Sequence, residues 1–406
     1  MQILSSLRRR GAPQPTPQQP EETVRPPDFI DVAALIRDYD PAEHARRADA
    51  YFAQMTDPTP ILRKPFANVP EAQEIMAGLG ALLPALDLFG HCRVLDFGCG
   101  LGWLSGALAN LGCEMTAIDI SPTALRIGEA AFLASPLSNG RTIDWKLFDG
   151  TRIPLPDASV ERVICFDAFH HLPDQAPVLA EMARVLVPGG IAAFHEPGPR
   201  HSSSPQSQAE MRAFGVIEND IHIAAIEQLA LQAGFARLEL LAYTRRPTKF
   251  GVAVYEQLIA NQGDAATYEA LGRAMMQDLA DLRVFTLHKH GETPRDSRDG
   301  SALDATIERV SSTRDGNKLR TSLRITNTGR AVWRPSGSTL ASVNLGVRLV
   351  RTDGSSDEPS RLAVSTVPVA PGASVELQSE QVVPENVAAL RFELVSELVR
   401  WFGREI

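Results

Sequence analysis

The spacing of apolar residues changes twice along the chain, and each change marks a different kind of structure. Between residues 41 and 88 the spacing is helical. Ala48, Tyr51, Phe52 and Met55 share one face, as do Ile75, Leu79, Leu82 and Leu83. From residue 93 the pattern becomes short, continuous apolar runs separated by helix-length stretches. Strands are predicted at 93–97, 114–118, 143–147, 162–166 and 191–195, the last following the Pro188-Gly189-Gly190 turn. Helices are predicted at 101–111, 121–133 and 176–186, with Ser121-Pro122 as N-cap and first helical residue of the second. Runs such as Val163-Ile164-Cys165-Phe166 suit strands covered on both faces, as in a parallel sheet. Strands alternating with helices predict an open, doubly wound α/β sheet.

The pattern continues through Gly234-Phe235 to about Tyr243 and into a helical stretch at 253–282. A polar segment at 288–300 follows, rich in turn formers, and reads as a linker. Beyond it the period falls to two. Leu319, Thr321, Leu323 and Ile325 alternate, as do Val343, Leu345, Val347 and Leu349, then Val375 and Leu377, then Leu390, Phe392 and Leu394. Turn formers such as Asp353-Gly354 and Pro371-Gly372 divide these runs, so an antiparallel β-sandwich is predicted. The expected organisation is a disordered tail at 1–30, a helical segment at 31–90, an α/β domain at 91–250, a helical segment and linker at 251–300, and a sandwich at 301–406. The tail is Pro- and Gln-rich and has too little apolar surface to order itself.

Composition narrows the function classes. Of 406 residues, 40 are Lys or Arg and 49 Asp or Glu, a net charge of −9 that argues against broad capture of nucleic acid. Cys92, Cys99, Cys113 and Cys165 lack the paired spacing of a zinc site or disulfide framework and read as buried thiols. No run approaches the roughly 20 apolar residues of a membrane span. The first residues place their arginines after the few apolar positions, unlike a secretory signal, so a cytoplasmic protein is expected.

Three segments carry the candidate chemistry. Val94-Leu95-Asp96-Phe97-Gly98-Cys99-Gly100-Leu101-Gly102 runs from a buried strand into a glycine turn that opens a helix. Such glycines let the backbone approach a ligand closely, and a helix start favours an anionic group. The third glycine comes one residue too early for the dinucleotide fingerprint G-x-G-x-x-G, with Trp103 in its place. Asp119, at the end of the second strand, suits paired ribose hydroxyls. Asp149, after the third strand, suits the exocyclic amine of adenine, with Phe148 offering an apolar face. Either aspartate reads equally as a cap or turn residue.

With VLDFGCGLGWLS come AIDIS, FDG, IPLPDASVERVICFDAFHHLPD and EMARVLVPGGIAAFHEPG. Over residues 90–245 this order of motifs resembles the class I S-adenosylmethionine-dependent methyltransferases. The resemblance implies a Rossmann-like methyltransferase fold, with S-adenosylmethionine as cofactor. It implies that Asp96, Gly98, Gly100 and Gly102 line the methionine part and ribose, and that Asp119 holds the ribose hydroxyls. Asp149 takes the adenine between Ile120 and Phe148, and Asp167 lies near the sulfonium. Glu161 departs from the family's usual Asp before the fourth strand.

An alcohol acceptor needs a base or a metal to remove its proton. Candidates after the fourth and fifth strands are His170, His171, His195, Glu196, His201, Glu218 and Asp220, of which His170, Glu196 and His201 are favoured. One of His170 and His171 is expected to pack or cap, and His195 reads as a core residue. Residues 198–204 are either a lid bearing His201 or a solvated loop. No metal is assigned, because no ligand spacing is defined. The sandwich resembles immunoglobulin-like accessory domains beside sugar-modifying enzymes of bacterial polysaccharide pathways. That resemblance implies O-methylation of a sugar hydroxyl, with Trp333 and Trp401 as candidate sugar-stacking rings. A small lipid or quinone-like acceptor is the alternative, and a non-catalytic glycan-binding or assembly protein is another.

Overall fold

A computed structural model describes residues 28–406 apart from 38, 39, 139, 246 and 339. Residues 1–27 of the expected tail lie outside the described residues. The helical segment holds α1 (Val32–Arg37), α2 (Pro41–Ala53), α3 (Thr59–Leu62) and α4 (Val69–Leu86). Asp40 and Asn68 cap α2 and α4, each accepting a backbone N–H three residues on.

The next unit contains β1 (Arg93–Phe97), α5 (Trp103–Asn110), β2 (Glu114–Asp119), α6 (Pro122–Ala134), β3 (Ile143–Leu147), β4 (Val160–Phe166), α7 (Ala176–Val185) and β5 (Leu186–Pro197). After these come α8 (Pro205–Phe214), α9 (Ile223–Gln232), β6 (Phe235–Leu240), α10 (Val252–Ile259), α11 (Ala265–Asp281) and β7 (Leu282–Lys289). The seven strands form one sheet in the order β3-β2-β1-β4-β5-β7-β6. Strands β1 to β5 pair in parallel, whereas β7 is antiparallel to both β5 and β6. Apolar side chains leave both faces. Leu95, Val163 and Phe194 pack with Leu179 and Met182 of α7 and Ile226 of α9. Val94, Ile164 and Ala193 pack with Leu82 and Leu86 of α4 and Leu104 and Leu108 of α5. The strand order turns at β1 and β4, so the crevice at their carboxyl ends is where a ligand fits.

The structure corrects the expected boundary at 250 and linker at 251–300. Residues 252–281 are two helices inserted between β6 and β7, and the sheet is completed by Leu282–Lys289. Val284, Phe285 and Leu287 of that strand are buried in the sheet's two cores. This short apolar run lies directly between a helix and a polar stretch, where its period is ambiguous. The expected Pro188-Gly189-Gly190 turn is instead a bulge inside β5. The pairing steps from Val160 with Leu186 to Arg162 with Ile191, and a Cβ on Gly189 would strike the Glu292 carbonyl.

The C-terminal unit is an antiparallel sandwich, to which β8 (Arg295–Asp296) and β11 (Ala331–Val332) add a short parallel pair. One sheet orders β14 (Ser374–Val382), β10 (Lys318–Asn327) and β9 (Ala305–Asp315). The other orders β13 (Ser360–Ala363), β12 (Val343–Arg351), β15 (Val387–Ser396) and β16 (Arg400–Trp401). Leu323, Ile325, Val343, Leu345, Phe392 and Leu394 meet between them, as the period of two requires. Trp333, 1 % exposed, lies in this core edge-on to Phe402. The Trp401 ring is faced by the Arg361 guanidinium at 4.6 Å. Trp333 as a sugar-stacking ring is therefore corrected: its faces are spent on core packing. The four cysteines are buried and free.

Candidate active site

A cavity of about 520 Å³ opens at the carboxyl ends of β1, β2 and β4. Its floor is the glycine turn. Gly98 and Gly100 have φ of +70° and +53°, which glycine adopts without a steric penalty. A Cβ on Gly98 would sit 2.5 Å from the Ala168 Cβ, so the turn packs directly on the loop after β4. Gly102, φ +73°, opens α5 and packs on Trp145 outside the cavity lining.

Asp119 ends β2 and lines the cavity. Its Oδ2 accepts the Gly100 N–H at 2.8 Å and its Oδ1 the Ser121 N–H at 2.8 Å. Each oxygen keeps a further lone pair for a ligand hydroxyl. Burial raises the Asp119 carboxyl above its ordinary value, against those two donors. Asp96 lies behind the turn, 2 % exposed, and accepts the Ser105 hydroxyl at 2.6 Å. Burial, aided by the charge of Asp119, pushes it up to about 7. Ile120 and Phe148 line the cavity beside Gly150 and Thr151. Asp149 does not line it: Oδ1 accepts the Thr151 and Arg152 N–H groups and the Thr151 hydroxyl, as a turn aspartate. Asp167 lines the cavity at φ +52°, with its Oδ1 2.9 Å from His195 Nδ1. A non-glycine residue held at such an angle stores strain where the loop turns into the site.

These residues fit S-adenosylmethionine. The Gly98 cradle, which a Cβ would fill, admits close backbone approach, and the buried Asp119 carboxylate retains acceptor capacity for two ribose hydroxyls. Ile120 and Phe148 supply apolar surface for a flat base.

The expected bases are rearranged. Glu196 is fully buried and outside the cavity lining. Its carboxylate accepts the backbone N–H groups of Ala168, Phe169 and His170 and pairs with His170 Nδ1 at 2.7 Å. It anchors the loop after β4 rather than facing an acceptor, although burial and the charge of Asp167 push it up to about 7. His170 is buried on that anchor, and burial keeps it well below its ordinary value. His201 gives its Nε2 to Glu218 at 2.6 Å and does not line the cavity. None of these three favoured residues reaches the cavity, because the bond each makes turns it inward. Residues 198–204 are pinned, with the Ser202 N–H and hydroxyl on the Asp220 carboxylate.

Of the candidate histidines, His171 lines the cavity, with 38 % of its side chain exposed. Its Nδ1 lies 2.6 Å from the Ile217 carbonyl. A carbonyl only accepts, so Nδ1 carries the proton and Nε2 of the neutral ring is a free acceptor. His170, His171 and Glu218 lie close enough together to hold a cation. A cation on Nδ1 of His171 would have to displace the Ile217 hydrogen bond.

The roof comes from α2, whose apolar face was legible but whose target was not. His44, Arg47, Tyr51 and Phe52 line the cavity from above. Asp49 of the same helix accepts the Ser121 hydroxyl at 2.7 Å and the Thr123 N–H at 2.9 Å, which ties the roof to the start of α6. Burial, with the charge of His171, lowers His44 to about 4.

Residues 95–194 match the family model of the methyltransferase domain. The chain is 28% identical over 258 residues to Methyltransferase GfsG of Streptomyces halstedii, covering 61% of this chain and 89% of that one. It is 35% identical over 106 residues to a ubiquinone biosynthesis O-methyltransferase of Xanthomonas oryzae pv. oryzae, of which it spans 42%. Among solved structures, a putative methyltransferase bound to the Trm112 activator of Haloferax volcanii aligns over 61% of this chain and 97% of its own, at 19% identity and a TM-score of 0.41. Fold and matched domain define a Rossmann-like methyltransferase joined to a β-sandwich. Residues 95–194 are thus a methyltransferase domain, of the kind that takes its methyl group from S-adenosylmethionine. No helix among the described residues is long and apolar enough to cross a membrane.

Proposed function

We propose that this enzyme methylates a hydroxyl oxygen of a small acceptor, with His171 as general base. The observation that carries the reading is the state of His171: on the cavity wall, its Nδ1 proton fixed on the Ile217 carbonyl and its Nε2 left to accept. When bound, S-adenosylmethionine supplies a methyl group on a sulfonium that leaves as a neutral thioether. The protein therefore needs no acid for the leaving group, and its work lies on the acceptor side. Asp119, Gly98 and Gly100 fix the cofactor end of the cavity. Tyr51 and Phe52 exclude water from above. His171 Nε2 takes the hydroxyl proton, and the oxygen is presented in line.

The acceptor wall is made of Tyr51, Phe52, Ile61, Leu172, Pro173 and Val216. That surface suits an acceptor with an apolar ring or chain beside its hydroxyl, the quinone-like class. The Xanthomonas relative's name, a ubiquinone biosynthesis O-methyltransferase, supports transfer to oxygen. The sugar acceptor expected from the sandwich loses one of its two aromatic supports, because Trp333 is packed in a core.

The test is a screen with labelled S-adenosylmethionine against hydroxylated aromatics and lipids, with sugar nucleotides and polysaccharide extracts as the opposing arm. Label on an oxygen of an apolar acceptor supports the reading. Label on a nitrogen, or turnover with sugars alone, overturns it. His171→Ala should lower turnover by about 10²–10⁴-fold with cofactor affinity kept. Unchanged turnover would remove His171 as base.

A further inference from the structure

We propose that Glu218 is the positioning residue of this site: it holds the His171 ring in register and stabilises the imidazolium formed when that ring takes the acceptor's proton. The proposal rests on the reading of His171 as base. Glu218 lies in the segment between α8 and α9 that runs beside the loop after β4. Two backbone groups join these segments: the Asn219 N–H donates to the His170 carbonyl at 3.0 Å, and the Ile217 carbonyl receives His171 Nδ1. Between them the Glu218 side chain turns inward, 3 % exposed.

The two carboxylate oxygens have different surroundings. Oε2 takes the His201 Nε2–H at 2.6 Å. Oε1 is buried, has no hydrogen-bond partner, and lies 3.5 Å from His171 Nδ1. A buried acceptor left unpaired is costly. Here the cost is offset when the neighbouring ring becomes cationic, because the Nδ1–H then has a charged acceptor within a small movement. A buried carboxylate behind a histidine fixes the tautomer and favours the cation without taking the proton itself. His201 orients the carboxylate through the other oxygen. That gives the sequence-selected His201 a role two groups removed from the acceptor.

Other charges act on the same ring. His170 lies tilted beside it with centroids 4.0 Å apart, and His44 faces it from α2. Asp119 at the end of β2 and Glu196 on β5 lie within electrostatic reach, and α8 brings Glu210 to the cavity. Glu218 differs from these in placing an unpartnered oxygen against Nδ1. Its own carboxyl is subject to burial, which would raise it, but the His201 hydrogen bond and the histidine charges outweigh burial and hold it below its ordinary value.

The experiment uses the full chain, an acceptor from the screen, and the variants Glu218→Gln, Glu218→Asp and His171→Ala. Calorimetry with S-adenosylmethionine is the folding control. Glu218→Gln should lower kcat about 10–100-fold, leave the cofactor Kd within about twofold, and move the acidic limb of the kcat profile to lower pH, because the ring loses the charge that favours its protonated form. Glu218→Asp should restore part of both. A fall in kcat with the limb unmoved would overturn the proposal and leave Glu218 a packing residue. Should Glu218→Gln fail to bind cofactor, the Glu218→Asp profile decides by the same criterion. Full turnover in His171→Ala would sink the base reading, whereas a dead His171→Ala beside an unshifted Glu218→Gln sinks this proposal alone. Zinc-dependent activity after chelation would also overturn it, since a metal on Oε1 would then replace the hydrogen bond.

Discussion

The parallel sheet and the sandwich both bury their strands, and they differ in what burial leaves over. In the sheet the strands are covered on both faces by helices, so every chain reversal falls at a strand end. The carboxyl ends of β1, β2 and β4 gather the glycine turn, Asp119 and Asp167 around one cavity. In the sandwich the two sheets cover each other, and the aromatic that looked functional, Trp333, became part of the seal. Alternating strands spend one face on the core and give the other to solvent; parallel strands keep their ends for chemistry.

The largest effect that would test this contrast is in the sandwich. Trp333→Ala should cost about 3–5 kcal/mol of that unit's stability, read by denaturant unfolding, while cofactor affinity in native conditions stays as in the wild type. A loss of cofactor binding would show that the two units are not energetically separate. Next comes the opposite case. Asp119→Ala removes the acceptor of both proposed ribose contacts, so calorimetry should show an affinity loss of at least about 100-fold, from two charge-assisted hydrogen bonds of roughly 1.5–3 kcal/mol each. The sandwich should unfold as before.

A pH experiment sharpens the comparison further. Asp96 is pushed up to about 7 in the fold, chiefly by burial, and an exposed aspartate titrates near 4. Between these values the folded chain holds a proton that the unfolded chain has released. The contribution of this group is therefore greatest at low pH and is lost as pH rises towards 7. From pH 5 to 7 the loss from this group is about 2 kcal/mol at 1.36 kcal/mol per unit, and Asp96→Asn should reduce the slope by that amount in the cofactor-free protein, leaving the part due to Glu196, which burial also pushes up to about 7. An unchanged slope would assign the effect to another group. The smallest expected effect is that of truncation. Ending the chain before β9 should change cofactor affinity by less than about twofold, because the cavity takes no residue from the sandwich. A larger loss would mean that the sandwich braces the sheet, through contacts such as the Arg330 guanidinium on the Glu292 carboxylate just beyond β7.

Much of the site was legible because it depends on local backbone. The strand–glycine turn–helix segment and the aspartate at the end of β2 are set by residues adjacent in sequence, and Gly98, Gly100, Asp119, Ile120, Phe148 and Asp167 do meet at the cavity. The histidine proposed as base was not legible in this way. His170 and His171 are neighbours of one chemical type, and Glu196 at a strand end looked better placed than either. The direction of each side chain depends on partners 26 to 46 residues away: Glu196 draws His170 inward, and the Ile217 carbonyl holds His171 at the wall. The roof was hidden for a similar reason. The periodic face of α2 shows that it packs on something, and only the Asp49 contacts to Ser121 and Thr123 show on what.

The sequence by itself determined the order of strands and helices from β1 to β5, the glycine turn, the acidic strand ends and the alternation of the sandwich. These follow from periodicity and backbone preference, which act over a few residues. The tertiary structure decided that residues 282–289 close the sheet, that His171 rather than His170 or His201 lines the cavity, that Trp333 is sealed in a core, and that Glu218 keeps one oxygen unpaired behind His171. Each of these depends on long-range contacts that bury one group and free another, and a buried polar atom's role is set by the partner that satisfies it.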